Sequence, residues 1–441
     1  MHAPWILIPL VAATALRAAD LAGIRAAMDN RVDTGRAVGM VAGVIDANGR
    51  HVIASGNVSR GGSQAPDGDT VYEIGSITKV FTSLLLADMI EKGEVKPDDP
   101  VAKYLPSTVK VPSRDGHQIT LLELSMQMSG LPRLPDNLKP ADPLNPYADY
   151  DAAKLYDFLS HYKLTRDPGE KYEYSNLGAG LLGHALALRA GMSYEELLRR
   201  RIFEPLGMTS TSITLSAEQK KRLAPGYSAA LDPVENWTFD VLAGCGAVRS
   251  TVNDMLKFLA ANLELTDSAL KAAMRHMRSV SKETGVPDLQ VAMAWHIFTK
   301  YEPIYWHNGG TFGYRSFAGF DPAKKEGVVI LCNSFTDNDD LGRHILESRY
   351  PLATFQKEVQ VDPAVLERYV GEYELTPAFK ITVTREGGRL FVQATGQPRF
   401  EIFAQSESEF FLKVVNAQIT FVKDGLILHQ NGKDQKGRRT R

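Results

Sequence analysis

One apolar segment constrains this chain of 441 residues more than any other feature. From Ile77 to Ile90 the sequence reads as a helix, and between Lys79 and Glu91 its only charge is Asp88. A helix this apolar all round has no face to offer water and belongs in a core. Other elements must therefore be packed around it. The segment also sets a local problem. Lys79 falls on its first turn, where burying an ammonium is costly unless the group has partners.

The sequence on either side supplies the wrapping. Leu21 to Val32 reads as an amphipathic helix with Leu21, Ile24, Met28 and Val32 on one face. Val38 to Ile45, the turn Asp46 to Gly49 and His51 to Ala54 read as a β-hairpin. Helical patterning then dominates from Ser76 to Leu265. It is broken by loops, of which the proline-rich stretch Arg133 to Tyr150 is the longest. Strands return at Trp295 to Phe298, Ser316 to Phe320 and Val328 to Cys332, and Leu341 to Arg349 reads as a closing helix. Strands, a helical block, more strands and a terminal helix predict an α+β fold. Its antiparallel sheet is built from both ends of the domain, flanked by helices and joined by a helical subdomain.

A second unit begins near Val361. Tyr369 to Tyr373, Lys380 to Thr384, Arg389 to Gln393, Phe400 to Phe403, Glu409 to Lys413 and Gln418 to Val422 alternate in polarity and are separated by turns. Short strands at this spacing predict a small all-β barrel or sandwich. The expected division is a main domain over 20–352, a β-domain over 361–432 and a basic, solvated tail over 433–441. Residues 1–19 fit an export signal: an apolar run too short to span a bilayer, followed by Ala13-Thr14-Ala15 in small-x-small form. Only His2 precedes the run where basic residues are usual, so a buried N-terminal segment is the other reading. An exported, periplasmic or secreted protein is expected, with no transmembrane helix.

Several functions are excluded early. Lys plus Arg total 50 against 52 for Asp plus Glu, so no nucleic-acid partner is expected. Two cysteines, Cys245 and Cys332, make neither a disulfide scaffold nor a cysteine zinc cluster, and both read as buried, unreactive thiols. No nucleotide-binding glycine motif, no H-E-x-x-H and no G-x-S-x-G elbow occurs. The ten histidines do not cluster in sequence. Neither a metal nor a cofactor is expected.

Three stations carry chemistry. The first is Tyr72-Glu-Ile-Gly-Ser76-Ile-Thr-Lys79. Bare S-x-x-K occurs five times in this chain, and the apolar helix behind Ser76 singles this one out. The i, i+3 spacing puts Lys79 beside Ser76. A serine hydroxyl needs a neighbour to take its proton, and a desolvated lysine can do so. By itself the motif serves equally as a plain N-cap with a solvated lysine. The second station is Pro168-Gly-Glu-Lys-Tyr-Glu-Tyr174-Ser-Asn176, which offers a phenol and an amide, or simply a helix cap. The third is Tyr305-Trp-His307-Asn308-Gly309-Gly310, on a predicted strand whose free edge could donate an N–H to an oxyanion or pair with an extended substrate. Its other reading is a glycine-rich hairpin.

In this order and at these separations the stations resemble the serine β-lactamase and penicillin-binding protein superfamily. The likeness is to class C β-lactamases, D-alanyl-D-alanine carboxypeptidases of similar build and related esterases. Ser129-Gly-Leu-Pro132 and Phe203-Glu-Pro-Leu-Gly-Met208 are similar to further landmarks, and the likeness runs from Leu21 to Leu352. The segment from Val361 looks like the lipocalin-like β-domain appended to some of these hydrolases. The resemblance implies acyl transfer to Ser76, with Lys79 and Tyr174 sharing the general-base work and Asn176 holding the substrate amide. His307-Asn308-Gly309 would replace the usual Lys-Thr-Gly, and the N–H groups of Ser76 and Gly310 would form the oxyanion hole. The substrate would be a small molecule or peptide: a β-lactam, a D-amino-acid peptide or a short ester. Two departures stand out. His307 is not a fixed cation, which weakens the case for a dedicated β-lactamase; esterase and peptidase relatives carry this form, and a carboxylesterase with only promiscuous β-lactam turnover is the alternative enzymatic reading. Ser125-Met-Gln-Met-Ser129 replaces a Thr-His-Thr-Ser run, so packing behind the site is expected to differ. A penicillin-binding sensor that acylates without turnover is the non-enzymatic alternative.

Overall fold

The computed structural model describes residues 18–413, 415, 417–430 and 433–440. The expected export signal lies outside them, apart from Ala18 and Ala19, which open the first helix, Ala18–Asp33. The chain divides into two compact units between Ala353 and Thr354.

The first unit is organised by an eight-stranded antiparallel sheet. Its strands are β1 (Gly39–Asp46), β2 (Gly49–Gly56), β3 (Lys282–Glu283), β4 (Leu289–Val291), β5 (His296–Phe298), β6 (Ile304–Gly310), β7 (Arg315–Asp321) and β8 (Glu326–Cys332). The spatial order is β2-β1-β8-β7-β6-β5-β4-β3. The N-terminal hairpin thus pairs with the last strand of the unit, as Met40 opposite Cys332 and Val44 opposite Val328 show. Successive residues of the buried strands face opposite sides, and the two faces feed separate cores. Val41, Ala318, Val329 and Leu331 join the large core beneath the helical block. Met40, Phe317, Val328 and Ile330 pack with Ile24, Met28 and Leu341 of the flanking helices. Those helices, Ala18–Asp33 and Asp339–Leu346, are bound to each other by Arg31, whose fully buried guanidinium grips both oxygens of Asp340 at 2.8 and 2.7 Å.

The helix Thr78–Glu91 runs through the middle of the large core, with every residue from Thr78 to Met89 buried. Asn176–Ala190 and Val252–Asn262 pack in the same core. Arg133 to Tyr150 is irregular, as expected, but it is no mere surface loop: Tyr147 and Tyr150 are both buried. Both cysteines are free and buried, and burial pushes their thiols up to about 11.

The second unit is a closed antiparallel barrel in meander order. Its strands are β9 (Gly371–Thr376), β10 (Phe379–Glu386), β11 (Arg389–Ala394), β12 (Arg399–Ala404), β13 (Glu409–Phe411), β14 (Ala417–Val422), β15 (Gly425–Gln430) and β16 (Lys433–Arg439). Alternate residues such as Ile381, Val383, Leu390, Val392, Ile419 and Phe421 fill its interior. The expected tail over 433–441 is corrected here. Residues Lys433–Arg439 form the closing strand, pairing with β15 on one side and with Tyr373 and Glu374 of β9 on the other. Its charged sequence concealed it, because only Gly437 points into the barrel wall while its neighbours face water.

Candidate active site

Ser76 sits in a tight turn, Gly75–Ile77, that leads into the apolar helix. Gly75 adopts φ +50, a backbone conformation that costs a side-chain-bearing residue about 1 kcal/mol or more. A Cβ there would lie 2.6 Å from the Gly310 nitrogen. A Cβ on Gly309 would come within 2.0 Å of the Ile74 carbonyl oxygen, which accepts a bond from Ser316 Oγ at 2.8 Å. Glycine at 75 and 309 thus lets the serine turn lie directly against β6. Residues 307–310 extend beyond the pairing with β5, which ends at Trp306 opposite His296, so that edge of β6 is open.

Ser76 does not cap the helix: the helix start has no side-chain cap. Its Oγ instead accepts from Lys79 Nζ at 2.9 Å. Lys79 is not solvated either, being 1% exposed. Its second donor bond goes to the Cys245 carbonyl at 2.7 Å, which gives the buried Nζ a further polar partner. Lys79 Nζ also lies 4.8 Å from the centre of the Tyr174 ring, with the Arg133 guanidinium 5.1 Å from that ring. The first two stations therefore meet. Ser175 is the true cap of the helix Asn176–Ala190, accepting from Gly178 N at 2.8 Å, and this leaves Tyr174 and Asn176 on either side of it. Asn176 donates to the Tyr147 hydroxyl at 2.8 Å, while its own oxygen is buried without a partner.

The third station meets them too. The His307 ring lies 6.1 Å from that of Tyr174. Its Nδ1 contacts the Asn308 carbonyl, which can only accept, so Nδ1 carries the proton. Burial, His296 and Lys79 hold His307 well below its ordinary pKa. It is therefore a neutral imidazole with a bare Nε2, not a substitute cation. Asn308 donates to Asp339 at 2.7 Å, and burial next to Asp337 raises that carboxyl to about 7.

The fold also assembles residues that sequence reading missed. Although the histidines are scattered in sequence, His296 stacks on His307 at 5.0 Å and 22°, and Tyr172 bonds His296 Nε2 at 2.9 Å. Burial, with Lys79 nearby, depresses His296 to about 4. Gln127 lies in the run flagged as divergent. Its side-chain oxygen accepts from Ser175 N at 2.5 Å, and its carbonyl accepts from Glu173 N at 2.8 Å, so it holds the loop that carries Tyr174. No sequence signal pointed to His296; for Gln127 the only signal was the altered run itself. Among the described residues no three His, Cys, Asp or Glu side chains converge on a possible metal position.

The serine turn, the buried lysine, the phenol and the open strand edge thus meet on one α+β scaffold. Comparison with known proteins gives the family. A family profile described as Beta-lactamase matches residues 24–348, and the chain belongs to that family. A second profile, a domain of unknown function named DUF3471, matches residues 356–434. The D-alanyl-D-alanine-carboxypeptidase/endopeptidase AmpH of Escherichia coli is 35% identical over 223 residues, which are 51% of this chain and 57% of that protein. The match thus spans little more than half of that relative. Penicillin-binding protein 4* of Bacillus subtilis is 27% identical over 85% of this chain and 88% of its own length. Among solved structures, a β-lactamase/D-alanine carboxypeptidase from Yersinia pestis superposes with a TM-score of 0.65 and 29% identity. It covers 75% of this chain and 99% of its own.

Proposed function

We propose that the chain is a serine hydrolase working through an acyl-enzyme on ester or amide bonds: a β-lactam, a D-amino-acid peptide or a short ester. Ser76 Oγ attacks the carbonyl carbon while its single proton passes to the Lys79–Tyr174 pair, which accepts it either as the free Lys79 amine or as the Tyr174 phenolate and returns it in the next step. The N–H groups of Ser76 and Gly310 receive the oxyanion, and Asn176 holds the substrate amide. The leaving group departs with a proton from the same lysine–phenol pair. Water, deprotonated there in turn, then releases the acid. The observation that carries this reading is the 2.9 Å bond between Ser76 and a lysine that is 1% exposed, beside the Tyr174 ring. Ser76→Ala should abolish labelling by a fluorescent penicillin and by a fluorophosphonate. Labelling that survives would place the nucleophile elsewhere.

The neutral His307 supports a second reading, a carboxylesterase with promiscuous β-lactam turnover, because no lysine stands there to meet a substrate carboxylate. Turnover of nitrocefin, p-nitrophenyl butyrate and a D-Ala-D-Ala peptide, measured side by side, separates the readings. Labelling of Ser76 with no turnover of any of them identifies the sensor. We also infer export to the periplasm or medium, supported by the apolar start and Ala13-Thr14-Ala15. N-terminal sequencing of the protein from the extracytoplasmic fraction tests it.

A further inference from the structure

The bonds by which Gln127 and Met128 hold the Tyr174 loop act on its backbone. Glu173 N and Gly169 N donate to the Gln127 and Met128 carbonyls, both at 2.8 Å, and Ser175 N donates to the Gln127 side chain at 2.5 Å. The direction of the phenol is left to the side chains packed around it. One of these, His296, takes no part in the proton transfers at Ser76. It stands at the end of β5, opposite Trp306, where the pairing of β6 stops and its open edge begins. It is 7% exposed. Its Nε2 bonds the Tyr172 hydroxyl at 2.9 Å, and its ring stacks on His307 at 5.0 Å. The Tyr172 and Tyr174 rings both turn to it, at 6.2 and 6.3 Å, so holding the first fixes the side that the second faces.

The approach of His296 to the loop is built into the backbone. Ala294, two residues upstream, adopts φ +61, a conformation that is costly for any residue with a side chain. Its N–H donates to the Ser125 carbonyl at 3.0 Å. Ser125 opens the run whose Gln127, itself at φ +60, holds the Tyr174 loop. That run ties β5 and the loop together from behind, and the Tyr172–His296 bond ties them again at the site. A histidine here has a cost. Its Nδ1 is buried without a partner, whereas an apolar side chain would fill the space without that penalty. What the imidazole gains is the bond to Tyr172. Burial raises the Tyr172 phenol and lowers the His296 imidazole, so the bond joins two neutral groups.

We infer that His296 is a positioning residue: through Tyr172, and through its stack on His307, it seats the Tyr174 phenol between Lys79 and the open edge of β6. The inference rests on the acyl-enzyme reading, in which that phenol shares the Ser76 proton with Lys79. Without the Tyr172 bond the loop backbone stays clamped by Gln127, so the site persists and still admits its ligand. The phenol then turns about its side-chain bonds, and the chemical step slows while binding does not.

The test is the rate at which a fluorophosphonate labels Ser76, resolved into a limiting rate and a half-saturating concentration. Tyr172→Phe removes one hydroxyl, and His296→Leu removes its partner. Each should slow the limiting rate by about tenfold or more, since a misplacement of ~1 Å can cost ~100-fold, while half-saturation stays within about twofold of the parent. The double variant should be no slower than His296→Leu, because both changes break the same bond. His296→Gln, whose amide can reach the place of Nε2, should recover most of the rate. The amount labelled at completion should match the parent throughout, since a general folding defect lowers that amount instead of the rate. A parental rate in Tyr172→Phe, additive losses in the double variant, a loss confined to half-saturation or to the amount labelled, or no recovery in His296→Gln would overturn the inference. A parent that is not labelled at Ser76 overturns the acyl-enzyme reading. A labelled parent with unaffected variants overturns the positioning role alone.

Discussion

Lys79 holds two acceptors, and neither is a carboxylate. Its partners are a hydroxyl and a carbonyl, with no counter-ion to hold it as an ammonium, which suits the base role proposed for it. Lys79→Ala and Tyr174→Phe should each lower kcat/KM by ~100-fold or more, the usual scale for acid–base groups, and full activity in either variant would remove that residue from the mechanism. The buried histidines predict a pH response of stability. His296 titrates near 4 when folded and near ~6.5 when unfolded, so the unfolded chain takes up its proton first. The stability it contributes is present at neutral pH and is lost as pH falls from about 6.5 toward 4. Thermal melts at pH 7.5 and 4.5 should show a smaller acid loss in His296→Gln than in the parent. Asp339 acts in the opposite sense. Its folded pKa of about 7 lies above the unfolded value of ~3.9, so its contribution is present in acid and lost as pH rises through 7. Asp339→Asn should therefore lose less stability than the parent between pH 5 and 8. Of these residues, Ser76 and Lys79 were legible because only three positions separate them where a tight turn runs into a helix, which fixes their distance. His296 and Tyr172 were not, because their meeting depends on where a strand and a distant loop are carried by the whole fold.

At the scale of elements, the seam between the serine turn and β6 is the tightest contact of the site. Two glycines, one from each side, remove the side chains that would hold the elements apart. Gly309→Ala should destabilise the unit by about 1–3 kcal/mol, as overpacking does, and should lower acylation of Ser76 even under conditions where the protein stays folded. Titration with urea and labelling at low denaturant measure the two effects separately. The apolar helix was legible from its composition alone, and the β1–β2 hairpin from its alternation and turn. The boundaries of the β-domain were harder to read. β15 and β16 escaped notice, and in β16 a charged, polar sequence with Gly437 as its one buried residue mimics a solvated tail. The loop Arg133 to Tyr150 misled in the other direction. Its prolines mark it as irregular, but they do not reveal that Tyr147 is drawn inward to serve Asn176.

At the scale of the whole molecule, two units with separate cores should melt as separate transitions. Residues 354–440 expressed alone should unfold cooperatively by circular dichroism, and the covalent label should report only on the other unit. A non-cooperative melt of the isolated segment would show that its barrel depends on the rest of the chain. The α+β order was readable because the sheet's two halves lie at opposite ends of the unit, a pattern that few topologies satisfy. The closing strand of the barrel carries one last consequence. Trimming the chain just before Lys433 would strip a partner from both β9 and β15 at once. The result would be a split cylinder with two raw lips of unpaired amides, the kind of surface by which proteins zip together into aggregates.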